Sequence, residues 1–376
     1  MHSTVSSRRK RRVRATVILG LTAVLLLAGA NLTASAAPAT PSKPVFVVYY
    51  LWWSANHWQE RLGSNYPKDR TPAPLPATLD ADGCGAHSSY SGNKLTDVPG
   101  PGGYDQTDAA VIERDVRTAA SLGVKGFTVN WNGAGTSGQT LDSAPYNKRL
   151  QYVFDAVHKV NAEGTPFKVM LNYKASATTL STATITGDLA YFTNRYGADP
   201  ALDHRYSTLP ETIWTGSWKY SASELTTVSK AVRSKMYLIG DEKLSTWNAT
   251  RAAQLDGASY YWSSQDPWNN RASFDQVKQL GDAVHAGTNP DGRAKTWLAP
   301  FTPGYNSQLL YGTSTCVPRR DGQTMHELFR GNQASRPDGW MFISWNEIAE
   351  GTYIVPLTRY GEQYTNELKT VITNNG

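Results

Sequence analysis

From residue 44 to the C-terminus, eight apolar runs of strand length alternate with eight stretches of helical periodicity, and no second linker breaks the alternation. The runs are Val45 to Trp53, Val124 to Trp131, Phe167 to Tyr173, Glu211 to Trp214, Met236 to Asp241, Ala258 to Trp262, Thr296 to Phe301 and Trp340 to Trp345. Helices are expected to begin near Asp108, Tyr146, Thr186, Ser221, Thr246, Ser273, Gln323 and Tyr360, with Asp108 and Ser221 as N-caps. Eight strand-helix units in strict order predict an α/β fold, a single (β/α)8 TIM barrel over residues 44–376. A doubly wound open sheet would require a glycine-rich phosphate turn after an early strand, and Gly133-Ala134-Gly135 lacks both the third glycine and the following helix. The stretch from Ser54 to Thr107 becomes a long loop after the first strand, on the face where barrel active sites are built.

The formal charge of +6 does not mark a nucleic-acid binder. Arg8, Arg9, Lys10, Arg11, Arg12 and Arg14 account for all of it, since setting those six aside leaves 31 bases against 31 acids. The basic block precedes an apolar run from Ala15 to about Leu32 and then Ala34-Ser35-Ala36. Residues 1–36 therefore read as a secretory signal peptide and residues 37–43 as a short linker, giving a secreted chain with no membrane attachment after cleavage. In an exported chain, Cys84 and Cys316 are expected to form one disulfide. Barrel closure puts the loops after the first and seventh strands on either side of the eighth, so this bridge would bracket the site, contributing roughly 4 to 5 kcal/mol in the chain-entropy model. Asp80, Asp82 and Gly83 faintly resemble a calcium loop but lack its later ligands, and a turn is the preferred reading. No metal, no cofactor and no nucleic-acid partner is expected, and with no oligomer signal the chain is taken as a monomer.

Side chains at the C-terminal ends of barrel strands build the site. Here they are aromatic, amide and acidic: Tyr50 and Trp53 after the first run, Asn130 and Trp131 after the second, Tyr173 after the third, Asp241 after the fifth, Tyr261 and Trp262 after the sixth, Trp345 and Asn346 after the eighth. Rings for stacking, with amides and carboxylates for hydroxyls, suit an oligo- or polysaccharide, and these ten are the candidate substrate-binding residues. Glu347 and Glu350 follow the eighth run three residues apart, which in a turn or helical first turn sets two carboxylates side by side. Each then disfavours ionisation of the other, the split that acetal cleavage uses. The same spacing also occurs where acids merely favour a helix N-terminus.

Three segments carry a resemblance. The run from Ile343 to Pro356, ISWNEIAEGTYIVP, followed by Arg359-Tyr360-Gly361, resembles the segment that closes the barrel in glycoside hydrolase family 99. Gly102 to Trp131 is similar to that family's lead into the second strand, and Arg319-Arg320-Asp321-Gly322 resembles a third stretch. The resemblance implies a retaining hydrolase of α-linked glycans, with endo-α-mannosidase and endo-α-mannanase as its known activities. It implies that Glu347 helps the sugar's own 2-hydroxyl attack the anomeric carbon, giving a 1,2-anhydro intermediate, and that Glu350 is general acid and then base. Ile348 stands where the family often has an aromatic residue and Val355 where a second acid commonly precedes the proline. The alternatives are an inverting α-1,3-glucanase of the family 71 kind, where Asp replaces the first Glu, and a secreted carbohydrate-binding barrel without turnover.

Overall fold

The computed structural model describes residues 43–63, 66, 77–78, 82–85, 87–88, 94–100, 102–135, 143–174 and 179–374. The secretory signal over 1–36, most of the linker over 37–43, and Asp80 lie outside the described residues.

Eight parallel strands close into a barrel in chain order: β1 Val45–Tyr50, β2 Gly126–Trp131, β3 Lys168–Lys174, β4 Glu211–Thr215, β5 Tyr237–Asp241, β6 Gly257–Ser259, β7 Thr296–Phe301 and β8 Gly339–Phe342. Closure is made by Val45 to Val47 pairing in register with Trp340 to Phe342. A strand enclosed by helices outside and side chains inside is buried on both faces, which is why these segments read as unbroken apolar runs. The expected eight strands are all present, and the open-sheet alternative is excluded by closure. Several end earlier than the apolar runs do: β1 at Tyr50 instead of Trp53, β6 at Ser259 instead of Trp262, β8 at Phe342 instead of Trp345.

Eight helices return the chain: α1 Ala109–Ser121, α2 Ser143–Ala162, α3 Thr182–Tyr196, α4 Ala222–Val232, α5 Ala249–Ala252, α6 Ala272–His285, α7 Gln323–Asn332 and α8 Gln363–Thr373. Asp108 accepts the Ala110 N–H at 2.9 Å, and Ser221 with Glu224 forms a reciprocal capping box at the start of α4. Among the described residues no helix is long and apolar enough to cross a membrane.

Side-chain alternation along the strands divides the apolar interior in two. Phe46, Val48, Tyr50, Met170, Ile213, Tyr237, Ile239, Leu298, Met341 and Ile343 fill the barrel. Val45, Val47, Tyr49, Trp53, Phe127, Trp131, Tyr173, Trp214 and Trp345 belong instead to the larger layer between sheet and helices.

Candidate active site

Past β8 the backbone stays bonded to its neighbours before it turns. Ile343 N–H donates to Phe301 O at 2.9 Å and Trp345 N–H to Val48 O at 2.8 Å, so the segment is stitched to β7 and β1 at the barrel mouth. It then folds back on itself: Ser344 N–H bonds Thr352 O, Gly351 N–H bonds Ile348 O, and the Ser344 hydroxyl accepts the Glu347 N–H at 2.8 Å. The result is a tight turn, not a helix, and it carries both Glu347 and Glu350. Gly351 is required there, because its φ of +65° is left-handed and a Cβ would lie 3.0 Å from the Asn306 backbone nitrogen.

Glu347 is 4 % exposed; one of its oxygens accepts the Ala349 N–H at 3.2 Å. Glu350 accepts the Tyr311 hydroxyl at 3.2 Å; its Oε2 is buried and makes no well-formed hydrogen bond, although Ser263 approaches the carboxylate. Burial drives both carboxyl groups above the ordinary range, and the charge of Glu350 adds to the push on Glu347, while the Lys174 ammonium pulls both back. Two such groups retain a proton between them where isolated carboxylates would have lost theirs.

Tyr50 and Tyr261 lie near the pair, their hydroxyls bonded to each other at 2.6 Å. Burial, reinforced by neighbouring charge including the two glutamates, raises both phenols well above their usual value, so they remain neutral hydrogen-bonding groups. Their positions are fixed from behind. Asn346 accepts the Tyr50 N–H at 2.8 Å and donates to Tyr50 O at 2.9 Å and to Tyr104 Oη at 3.0 Å. Asp241 accepts the N–H groups of Tyr261 at 2.8 Å and Gly216 at 2.9 Å, and burial raises its carboxyl to about 6.

The residues named from sequence thus separate into two sets. Tyr50, Asn130, Asp241, Tyr261, Asn346, Glu347 and Glu350 converge at the mouth. Trp53, Trp131, Tyr173 and Trp345 are fully buried in the outer layer, one strand position off the inward face. There Trp53 donates to Asn346 O at 2.6 Å, Trp131 to Asn147 at 2.8 Å and Tyr173 to Asp188 at 2.8 Å, so these rings brace the site without facing it. Trp262 is half-buried on Tyr260, ring centroids 5.0 Å apart. Four residues outside the sequence-based set stand in or beside the mouth: Trp52, stacked on Tyr50 at 4.4 Å; Asn172; Lys174; and Tyr311. The first three lie two residues from a neighbour on the same face, a two-residue period that the sequence contains. Tyr311 arrives from the loop after β7 and carries no such signal.

Cys84 and Cys316 are bonded, with Cα atoms 5.8 Å apart. The bridge reaches the active turn through Asn306, which pairs with Cys316, donates its side chain to Gly83 O at 2.9 Å and gives its N–H to Glu350 O at 2.8 Å. Arg319 closes the same corner, donating to Gly351 O and Tyr353 O at 2.8 and 2.7 Å and receiving the rings of Tyr353, Tyr360 and Tyr364 around its guanidinium. Among the described residues no cluster of three His, Cys, Asp or Glu could hold a metal; Asp82 spends its carboxylate on the Cys84 N–H at 3.3 Å.

No family model and no curated protein matches this chain in sequence. Its structure does have counterparts. A family 99 endo-α-mannosidase from Bacteroides thetaiotaomicron, solved with bis-tris propane, superposes with a TM-score of 0.64 at 18 % identity, over 88 % of this chain and 96 % of that one. A glycoside hydrolase-like protein superposes at 0.57 with 13 % identity, over 89 % and 95 %. At such identities the likeness is one of architecture, and it extends over most of this chain: it has the (β/α)8 fold that these proteins share.

Proposed function

We propose that the protein is a secreted glycoside hydrolase of α-linked glycans that retains anomeric configuration through a 1,2-anhydro sugar. The observation that carries the reading is the buried, proton-sharing pair Glu347 and Glu350 on one rigid turn at the barrel mouth, with an oxygen of Glu350 left without a well-formed hydrogen bond. In the first step Glu347 takes the proton of the sugar's 2-hydroxyl as that oxygen attacks the anomeric carbon, and Glu350 protonates the departing glycosidic oxygen. In the second, water attacks the anomeric carbon and gives its proton to Glu350, the anhydro C–O bond breaks, and Glu347 returns its proton to the 2-oxygen. Two inversions give net retention. The fold shared with an endo-α-mannosidase and the N-terminal resemblance to a signal peptide support the substrate class and the export; N-terminal sequencing of the mature protein should begin at residue 37.

The test is Glu350→Gln, which keeps size and hydrogen bonding but cannot titrate. Turnover of α-mannan, α-1,3-glucan or dextran, whichever the wild type cuts, should fall by about 10² to 10⁴ while oligosaccharide binding persists. Near-normal turnover refutes the assignment. Product NMR showing inversion would move the chemistry to a water-first mechanism, and a sugar covalently attached to Glu347 would replace the anhydro route with double displacement.

A further inference from the structure

The β2–β3 wall of the mouth is rich in donors. Asn130 and Asn172 are paired across that ladder, both buried; the side-chain nitrogen of each, and the side-chain oxygen of Asn130, lack a well-formed hydrogen bond. Two residues beyond Asn172, on the same face, Lys174 holds its ammonium 5.2 Å from the Tyr50 ring centroid and 5.1 Å from that of Trp52. Among the described residues Lys174 enters no ion pair; the lysines that do, Lys159 and Lys278, lie on helices α2 and α6.

The arc continues around the mouth. Lys219, four residues past β4, and Lys243, two residues past β5, both lie over the Trp218 ring, at 5.6 and 3.5 Å from its centroid. Of the acids near this arc, Asp188 is occupied by Ala134 N–H and Tyr173 Oη, Asp241 by two backbone N–H groups and Glu242 by Arg251 at 2.6 Å, while Glu347 and Glu350, which feel the Lys174 charge, share a proton between them. Ammonium groups after three consecutive strands, with aromatic rings and amide donors between them, make this side of the mouth favourable to an anion.

We propose that the glycan bound here carries an anionic substituent, a carboxylate or a phosphate ester, which docks on Lys174 and the Asn130 and Asn172 amides beside the glutamate pair. The inference rests on the reading of this mouth as a glycan-cleaving site. It is tested by calorimetric titration of the mature protein with two matched pairs of probes: α-linked oligogalacturonides against their methyl esters, and phosphorylated α-mannan oligosaccharides before and after phosphatase. At least one anionic member should bind about tenfold or more tightly than its neutralised twin, as expected for a hydrogen bond to a charged group, and the preference should weaken as salt rises. The arm that shows it identifies carboxylate or phosphate. Lys174→Met should abolish the preference, and Lys174→Arg, which keeps the charge, should retain most of it. Equal binding of both twins in each pair, no binding of any probe, or equal loss of charged and neutral probes in Lys174→Met overturns the proposal. Tight anionic binding without cleavage would leave the anion site standing and overturn the hydrolase reading instead.

Discussion

The opposite end of the barrel holds a second carboxyl pair whose effect on stability can be worked out without reference to sugar chemistry. Glu211 opens β4 and is fully buried, and its N–H donates to the backbone C=O of Asp203, itself 3 % exposed, at 3.1 Å. Glu211 Oε1 accepts the Tyr206 N–H, whereas Glu211 Oε2 and Asp203 Oδ2 are buried without donors of their own. A proton held between the two carboxyl groups supplies the missing bond. Burial, followed by the charge of Asp203, raises the Glu211 carboxyl well above its usual value; Arg205, 3.9 Å from Asp203, offsets part of this. A carboxyl whose folded pKa is raised favours the folded state below its unfolded pKa of about 4.3 and loses that contribution as pH climbs toward the folded value. With one more proton bound folded than unfolded, the loss is about 1.4 kcal/mol per pH unit, or roughly 3 kcal/mol by pH 7. Glu211→Gln keeps the acceptor for Tyr206 and places an amide N–H where the proton sat. The variant should therefore match the wild type near pH 4 and exceed it at pH 7 by roughly 3 kcal/mol, about 4 °C in Tm for a barrel of this size. Scanning calorimetry of both proteins from pH 4 to 8 checks it. A difference in Tm that does not change with pH, or a variant less stable throughout, would refute the shared proton.

Three further outcomes follow from the active turn and its supports. Replacing Cys84 and Cys316 with Ser opens a loop of 232 residues, which should cost up to roughly 5 kcal/mol of stability and lower turnover through the Asn306–Glu350 link, read by calorimetry and by thiol titration showing none in the unreduced wild type. Gly351→Ala forces a left-handed φ and a 3.0 Å contact with Asn306, so kcat should drop at least tenfold with a far smaller change in Tm; unchanged kcat would mean that the turn tolerates displacement. Because burial raises both glutamates, the alkaline limb of the pH–rate profile should lie well above the ordinary carboxylate range, and a limb near pH 4 to 5 would contradict the proton-sharing pair.

The eightfold alternation and the Asp108 and Ser221 caps were legible in the sequence because each is a local pattern, and the cysteine bridge because two cysteines in a chain read as exported pair with each other. What the residues did not announce was which side of each strand faces inward. Strand ends here carry large rings on both faces, and a ring reads as a sugar platform or as packing with equal ease. Counting by twos from Tyr50 resolves it: Tyr50 and Trp52 look toward the mouth and Trp53 outward, Asn130 inward and Trp131 outward, Asn172 and Lys174 inward and Tyr173 outward. The division has a physical cause. Helices cover the outer face over its full height, so every strand end there must fill a dry gap, and Trp53, Trp131, Tyr173, Trp214 and Trp345 do so with the largest side chains available. The inner face ends in the cleft at the mouth, where amides, a lysine and carboxylates can meet a polar ligand. In a barrel of this kind a tryptophan at a strand end is therefore first a sign of helix packing, and the polar residue beside it is the better guide to the site.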